Sequence, residues 1–293
     1  MVASSFISRQ ERFALVRSTN DVVREWLAEG VREVCLAVAD EQSAGRGREG
    51  RSWLAPRGAA LLLSLGFRPT YLAPDTAWQL AATVSLAMAD AAEDVAGLPD
   101  RAIKLKWPND LVTVGPVPGR TRQPQEAVDV RKLAGVLGET DGLGGPEPRV
   151  VVGIGINGDW RASDFPAGLR TTMTSLREAS GGRPVDLAPL LAAFLTRLEA
   201  RISLLRGGRF DAEDWVARQV TTGRLIRLET PDGRSRTVKG TGVDPATGAL
   251  LVEDARGSGG ARAIFSGDVR HVRLVPGSAG AAKDATGAEP VGV

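Results

Sequence analysis

Gly45-Arg46-Gly47-Arg48-Glu49-Gly50-Arg51 runs directly into Ser52-Trp53-Leu54-Ala55-Pro56-Arg57-Gly58, and these two stretches together decide the fold. The first matches G-x-G-x-x-G. A dinucleotide-binding turn needs a helix immediately after its glycines, so that the helix N-terminus can hold a pyrophosphate. Pro56 and Gly58 leave no room for a helix of useful length. A protein-kinase loop fails too, because the chain contains no His-Arg-Asp motif. What survives is strand–loop–strand, with the apolar runs Val34 to Ala39 before the loop and Ala59 to Phe67 after it. Glycines in such a loop let backbone N–H groups approach an anion, and three arginines add charge. The same residues also describe a solvated loop, or a segment that touches RNA without specificity. Two buried strands on either side, and Trp53 directly behind, favour a ligand loop.

Working outward toward the N-terminus, Phe13 to Val16 reads as a short strand. Ser18 is placed to cap a helix, with Asp21 three residues on as in a capping box. That helix carries Val22, Val23, Trp26 and Leu27 and stops at Gly30. Toward the C-terminus, Asp75 to Val95 has helical apolar spacing, and strands are expected at 102–107, 110–114, 132–139 and 149–156. Gly115 to Val130, rich in Pro, Gly, Gln and Arg, reads as an excursion loop, partly disordered. Asp186 to Arg206 is the clearest helix, and a shorter one follows around 212–220. The period then shortens to strand candidates at 223–229, 235–242, 249–254, 261–266 and 269–274, a β module of about fifty residues consistent with an SH3-like barrel. The expected organisation is therefore a catalytic domain over 1–220, a small β domain over 221–275 and a disordered tail over 276–293.

Composition narrows the chemistry. The 293 residues carry 37 basic and 35 acidic side chains, a balance that argues against a dedicated nucleic-acid binder. One cysteine, Cys35, excludes an intramolecular disulfide and multi-cysteine zinc sites. One histidine, His271, comes with no nucleophile-elbow motif, so a Ser-His-Asp triad has no support. No apolar run reaches the roughly 18–20 residues that span a bilayer. The N-terminus lacks a secretory pattern, so a cytoplasmic protein with no membrane partner is expected. The chemistry left is that of Lys, Arg, backbone N–H groups and a metal ion carried by a nucleotide.

Two further clusters stand out. In Lys104-Leu105-Lys106-Trp107-Pro108-Asn109-Asp110, residues two apart share a strand face, so Lys104 and Lys106 point together. An anion or plain solvent lies against them, and Pro108 places Lys106 beside a loop. In Val150 to Asn157, Gly153 and Gly155 clear one face of an apolar strand. Either a planar ligand or a tightly packed helix fills that clearance.

Ser18-Thr19-Asn20, Gln42-x-x-Gly45-Arg46-Gly47-Arg48-x-Gly50-Arg51-x-Trp53, Lys106-Trp107-Pro108-Asn109-Asp110, Lys132-Leu133-Ala134-Gly135 and Gly153-x-Gly155-x-Asn157 stand in this order. Together they resemble the biotin–protein ligases, across residues 18–157. The resemblance implies an α+β fold with a catalytic domain like those of class II aminoacyl-tRNA synthetases and a small C-terminal SH3-like β-barrel. It implies that ATP, with Mg2+, activates biotin as biotinyl-5′-AMP, and that biotin then passes to a lysine of a biotin carboxyl carrier protein or of the equivalent domain of a biotin-dependent carboxylase. Ser18, Thr19 and Gln42 resemble the groups that bind the ureido ring. Gly45, Arg46, Gly47 and Arg48 resemble the segment folding over biotin, with Arg46, Arg48 and Arg51 also facing the nucleotide. Trp53 resembles a wall for the biotin chain that also borders ATP. Lys106 resembles the catalytic lysine joining carboxylate and α-phosphate, with Arg48 beside it. Asn109, Lys132 and Asn157 resemble nucleotide contacts, and no protein-held metal is implied. Members of this family that also repress transcription carry an N-terminal helix-turn-helix, which does not fit before residue 13, so specific DNA binding is not expected. Within the loop, Glu49 is placed to pair with Arg48 or Arg51 when the site is empty. Lipoate–protein ligases share the superfamily and chemistry, and the Gln42 to Arg48 and Lys106 to Asp110 motifs speak against them. An RNA- or carrier-binding module without catalysis is the alternative from another class.

Overall fold

The computed structural model describes residues 6–116, 128–255 and 260–275. Its first unit is a seven-stranded sheet built from β1 (Arg9–Phe13), β2 (Cys35–Ala39), β3 (Ala60–Phe67), β4 (Ile103–Lys106), β5 (Asp110–Pro116), β6 (Val128–Asp141) and β7 (Arg149–Asn157). The strand order is β1-β2-β3-β7-β6-β5-β4. Only β1 and β2 pair in parallel; the other neighbours are antiparallel. Helices α1 (Thr19–Ala28), α2 (Trp78–Ala96), α3 (Leu176–Ala179), α4 (Leu187–Arg206) and α5 (Ala212–Ala217) complete this part. The expected α+β character is borne out.

Alternation along β3 shows how the sheet is covered. Leu61, Leu63, Leu65 and Phe67 enter the main core with α2 and α4. Ser64 and Gly66 face the other way, toward α1. Val23, Trp26 and Leu27 of α1 pack there on Cys35, Ala37 and Val151. Helix α2 is buried nearly all round, as its Ala-rich sequence requires of a helix held between a sheet and α4. Helix α4 buries Leu190, Phe194, Leu198, Ile202 and Leu205, one stripe at helical spacing, and Asp186 caps it by accepting from the Ala188 N–H at 2.9 Å. Cys35 is the buried small hydrophobe its sequence setting predicts, and burial pushes its thiol pKa up to about 11.

A charged cluster sits deep in this unit around one arginine. Arg218 is 1 % exposed, and its guanidinium donates to Glu93 (2.7 and 3.1 Å), Asp90 (2.8 Å), Asp214 (3.1 Å) and the Ile103 carbonyl (2.9 Å). It ties α2, α5 and β4 together at one point.

The C-terminal unit is a five-stranded antiparallel sheet, β8 (Leu225–Glu229), β9 (Ser235–Val243), β10 (Leu250–Asp254), β11 (Arg262–Ile264) and β12 (His271–Leu274), in the order β11-β10-β9-β8-β12. It leans on the first unit through two tryptophans. The Trp107 indole N–H donates to the Gly248 carbonyl at 2.9 Å. Gly248 has φ +72°, and a Cβ there would stand 2.6 Å from the Trp78 ring, so only glycine fits this contact.

Several boundaries differ from the sequence reading. The first strand is Arg9–Phe13 rather than 13–16, and Val16 makes only a single bridge, to Gln42. Ser18 does occupy the N-cap of α1, but its side chain makes no capping hydrogen bond, and the Asp21 carboxylate is drawn to Arg24 and Arg46 instead. The strands flanking the excursion are longer than expected, running on to Pro116 and starting again at Val128. Residues 117–127, like the expected tail at 276–293, lie outside the described residues.

Candidate active site

A cavity of about 430 Å3 lies between the 45–53 loop, the N-terminus of α1, the β6–β7 floor and the segment 160–173. One end is polar. The Gln42 side-chain oxygen accepts from the Thr19 backbone N–H (2.8 Å) and hydroxyl (3.1 Å). The Ser64 hydroxyl lies 2.7 Å from that of Thr19 and donates to Asn20 Oδ1 at 2.5 Å. These bonds fix Thr19 and Gln42 against each other at the cavity wall. Ser18, 3 % exposed and free of capping duty, stands beside them. The three residues expected on the ureido ring are therefore together.

The cleared face on β7 is filled from within the chain at both glycines, by helix α1 at Gly153 and, in place of a ligand, by the Trp53 side chain at Gly155. A Cβ on Gly153 would fall 2.1 Å from Asn20 Oδ1, so Gly153 admits helix α1. A Cβ on Gly155 would fall 2.6 Å from the Trp53 indole, so Gly155 admits a ring. Gly135, paired with Gly155 across the sheet, extends that floor. The Trp53 Nε1 donor is buried there without a partner. Gly45 closes the loop on itself: Trp53 N–H donates to the Gly45 carbonyl at 2.8 Å, and a Cβ on Gly45 would stand 2.6 Å from the Trp53 carbonyl.

The two lysines border different cavities. Lys106 does not border this first cavity. It borders a second, adjoining one of about 690 Å3, which reaches to α2, α5 and the C-terminal sheet. Lys132 borders the first cavity, with its ammonium 5.4 Å from the Trp53 ring centroid. The reason lies in the backbone. Lys132 N–H donates to the Thr172 carbonyl and its carbonyl accepts from Thr174 N–H, at 2.8 and 2.9 Å, which seats β6 against the cavity wall. Asp110 joins the two lysines, 3.1 Å from Lys106 Nζ and 2.6 Å from Lys132 Nζ. Burial raises the Asp110 carboxyl, but the two ammonium groups outweigh it and its pKa falls to about 2. Two cations against one anion leave a surplus positive charge at the junction of the cavities. Sequence reasoning passed over Asp110 as a functional group, although it closes the Lys106-Trp107-Pro108-Asn109-Asp110 motif.

Arg48 and Asn109 border both cavities. Asn109 is held by donating to the Val136 carbonyl at 2.9 Å. Arg48 donates to the carbonyls of Ser266 (2.5 Å) and Val269 (3.2 Å) in the C-terminal unit, and Arg51 donates to the Arg48 carbonyl (3.1 Å). Both thus turn to backbone oxygens rather than to Glu49. Arg46 borders the cavity but forks onto Asp21. Asn157, expected on the nucleotide, is fully buried behind the wall, where its amide donates to the Thr174 carbonyl at 2.9 Å. It supports the 160–173 segment and does not border the cavity. That segment brings in residues the sequence gave no sign of, Trp160 stacked on Phe165 with ring centroids 4.4 Å apart.

Residues 12–157 match the model of the Biotin/lipoate A/B protein ligase family. A biotin–[acetyl-CoA-carboxylase] ligase of Mycobacterium tuberculosis is 33% identical over 241 residues, covering 81% of this chain and 79% of the relative. The chain belongs to this ligase family. A second relative of the same description, from Paracoccus denitrificans, is 32% identical over 247 residues, with 83% of this chain and 92% of the relative covered. Among solved structures, the ligase resembles the biotin protein ligase from Aquifex aeolicus in complex with biotin and ATP. That match has a TM-score of 0.70 at 26% identity and covers 91% of this chain and 99% of the other.

Proposed function

We infer that this ligase forms biotinyl-5′-AMP and pyrophosphate from biotin and ATP, then transfers biotin to a lysine of a carrier protein or domain of a biotin-dependent carboxylase. The observation that carries this reading is the adjacency of the two cavities, which share Arg48, Asn109, Val136 and Leu137 in their walls. One ends in Ser18, Thr19 and Gln42, is floored by Gly135, Gly155 and Trp53, and meets Lys132. The other presents Lys106 and Asp110 at the shared edge. In the first step a carboxylate oxygen of biotin bonds to the α-phosphorus, and the bond from phosphorus to the pyrophosphate oxygen breaks. Lys132 supports the carboxylate and α-phosphate, and Lys106 the departing phosphates, where negative charge builds. In the second step the carrier's lysine nitrogen bonds to the acyl carbon, and the bond to AMP breaks. Asp110, held near pKa 2, is too weak a base to take that nitrogen's proton at neutral pH, so its part is to seat the two lysines.

Among the described residues no group of three or more acidic, His or Cys side chains could hold a metal ion. Mg2+ would arrive with ATP and be held largely by phosphate oxygens, since Mg2+ is commonly held by one or two carboxylates together with them; Asp75 and Asp110 are carboxylates bordering the second cavity. A core of the class II aminoacyl-tRNA-synthetase type over 1–220 and an SH3-like barrel over 221–275 are supported by the largely antiparallel seven-stranded sheet and the five short strands that follow it. No described helix is long and apolar enough to cross a membrane. A cytoplasmic place, where ATP and carrier meet, is part of the proposal.

Release of pyrophosphate from ATP tests the reading. It is expected to depend on biotin and not on lipoate, and Lys132→Ala is expected to reduce it by about a hundredfold or more, in the range seen when one transition-state donor is removed. Release indifferent to biotin would overturn the assignment.

A further inference from the structure

Arg46 stands one residue past the pinch at Gly45, on the loop that covers the cavity, and its charge is spent elsewhere. Its two terminal nitrogens donate to the two Asp21 oxygens at 2.9 and 2.8 Å, a bidentate fork, and one of them reaches Glu139 at 3.4 Å. Arg24 donates to Asp21 at 2.9 Å and also pairs with Glu139. Asn20 donates to Glu139 at 3.1 Å, and α1 can bring Asn20 this close to the sheet only because Gly153 has no side chain. Two guanidiniums face two carboxylates, so the cluster offers no surplus charge to an anionic ligand. Asp21 on α1 and Glu139 on β6 do not border the cavity.

We propose that Asp21 and Glu139 are positioning residues that lock Arg46, and with it the leading end of the 45–53 loop, over the cavity, so that Arg46 anchors the loop and leaves the ligand's carboxylate and phosphate to Lys132 and Lys106. The proposal rests on reading the cavity as the biotin site. It reverses the role expected of Arg46 from the sequence, and it puts two residues outside the ligand-contact motifs in control of how long the ligand stays.

Two readouts on the full chain separate an anchor from a ligand contact: the rate of biotin dissociation, and tryptic cleavage within the loop in the absence of any ligand. Asp21→Asn and Arg46→Met are each expected to speed both by about three- to tenfold, the range for a charge-assisted fork discounted for its partial exposure. The double variant is expected to match the single ones, because each removes the same contact. Asp21→Glu is expected to recover most of the loss, and Glu139→Gln to give a smaller one. A different pattern overturns the proposal: Asp21→Asn holding biotin as tightly as wild type, or more tightly, while Arg46→Met loses it. Removing the carboxylate would then have freed a cation that acts on the ligand directly. Unchanged cleavage in both Asp21→Asn and Glu139→Gln overturns it as well. If Asp21→Asn does not fold, Glu139→Gln with Arg46→Met decides the question by the same comparison. Failure of the wild-type protein to bind biotin would instead remove the functional reading on which the proposal stands.

Discussion

Arg218 and Arg46 each gather two or more carboxylates, yet their settings are opposite. Arg218 is 1 % exposed and Glu93 beside it 4 %, whereas Arg46 is 34 % exposed and its partners Asp21 and Glu139 are each 28 %. Buried charges cannot separate without leaving ions unsolvated in the interior, so the Arg218 knot opens only when α2, α5 and β4 come apart. The Arg46 cluster has water at hand to replace each bond, so it can open while the fold persists. The same chemical pairing thus serves as a rivet in one place and as a catch in the other. Arg48 belongs with the second kind, since its bonds to the Ser266 and Val269 carbonyls join a loop to a neighbouring unit rather than closing a core.

Breaking the rivet is expected to have the largest effect. Arg218→Met leaves the buried Glu93 without its cation, while Asp90 and Asp214 keep Arg201, and is expected to cost about 3–5 kcal/mol of stability. Chemical denaturation would measure this, with activity per folded molecule retained. A loss under about 1 kcal/mol would mean that solvent reaches the knot. Breaking the catch on the C-terminal side comes next. Arg48→Gly removes a charged donor worth roughly 1.5–3 kcal/mol. If that falls on dissociation, the adenylate escapes about ten- to a hundredfold faster. The readout is biotin carried onto an unrelated bystander protein at equal adenylate production; labelling no higher than wild type would show that Arg48 does not retain the intermediate.

The smallest effect is one of pH, and it sharpens the contrast. Hydrogen bonds from Arg46, with further help from Arg24, hold the Asp21 carboxyl below its ordinary value of 3.8, against a smaller opposing effect of burial. A depressed folded-state pKa contributes stability that is complete above the unfolded value and lost only as pH falls through the folded one. Glu139, Arg24 and Arg46 are the charged groups facing it. Loop sensitivity to an acid-active protease is therefore expected to be flat from pH 8 down to about 5 and to rise only below about 4. A rise centred near pH 6 would point to a different group.

Periodic segments were legible in the sequence because period follows directly from burial on one face. Strands β2, β3 and β7 and helices α2 and α4 fall within a few residues of their expected places. What was not legible depends on partners far along the chain. Arg46 meets Glu139, and Arg48 meets Ser266 and Val269, contacts no local pattern encodes. Arg218, in Val216-Ala217-Arg218-Gln219, reads as an ordinary surface arginine. Lys106 and Lys132 border different cavities because the pairing of Lys132 with 172–174, on a segment with no periodic signal, seats Lys132 at the first cavity. Helix α3 was missed although a signal existed. Ser175-Leu176-Arg177-Glu178 has the S-x-x-E spacing, and the Ser175 hydroxyl does accept from the Glu178 N–H at 3.1 Å. The similar pattern at Ser18 and Asp21 was read as a box and is not one, because arginines compete for the acid.

Cys35 bears on how the loop can be watched. It is the chain's single cysteine, it lies wholly out of contact with solvent, and burial pushes its thiol pKa up to about 11. At neutral pH it presents almost no thiolate to a maleimide. A second cysteine placed at Leu54, which is 73% exposed on the loop, would therefore take up a fluorophore alone. The molecule comes with an optically silent background, so the opening and closing of one loop can be followed in the full chain without first removing a native thiol.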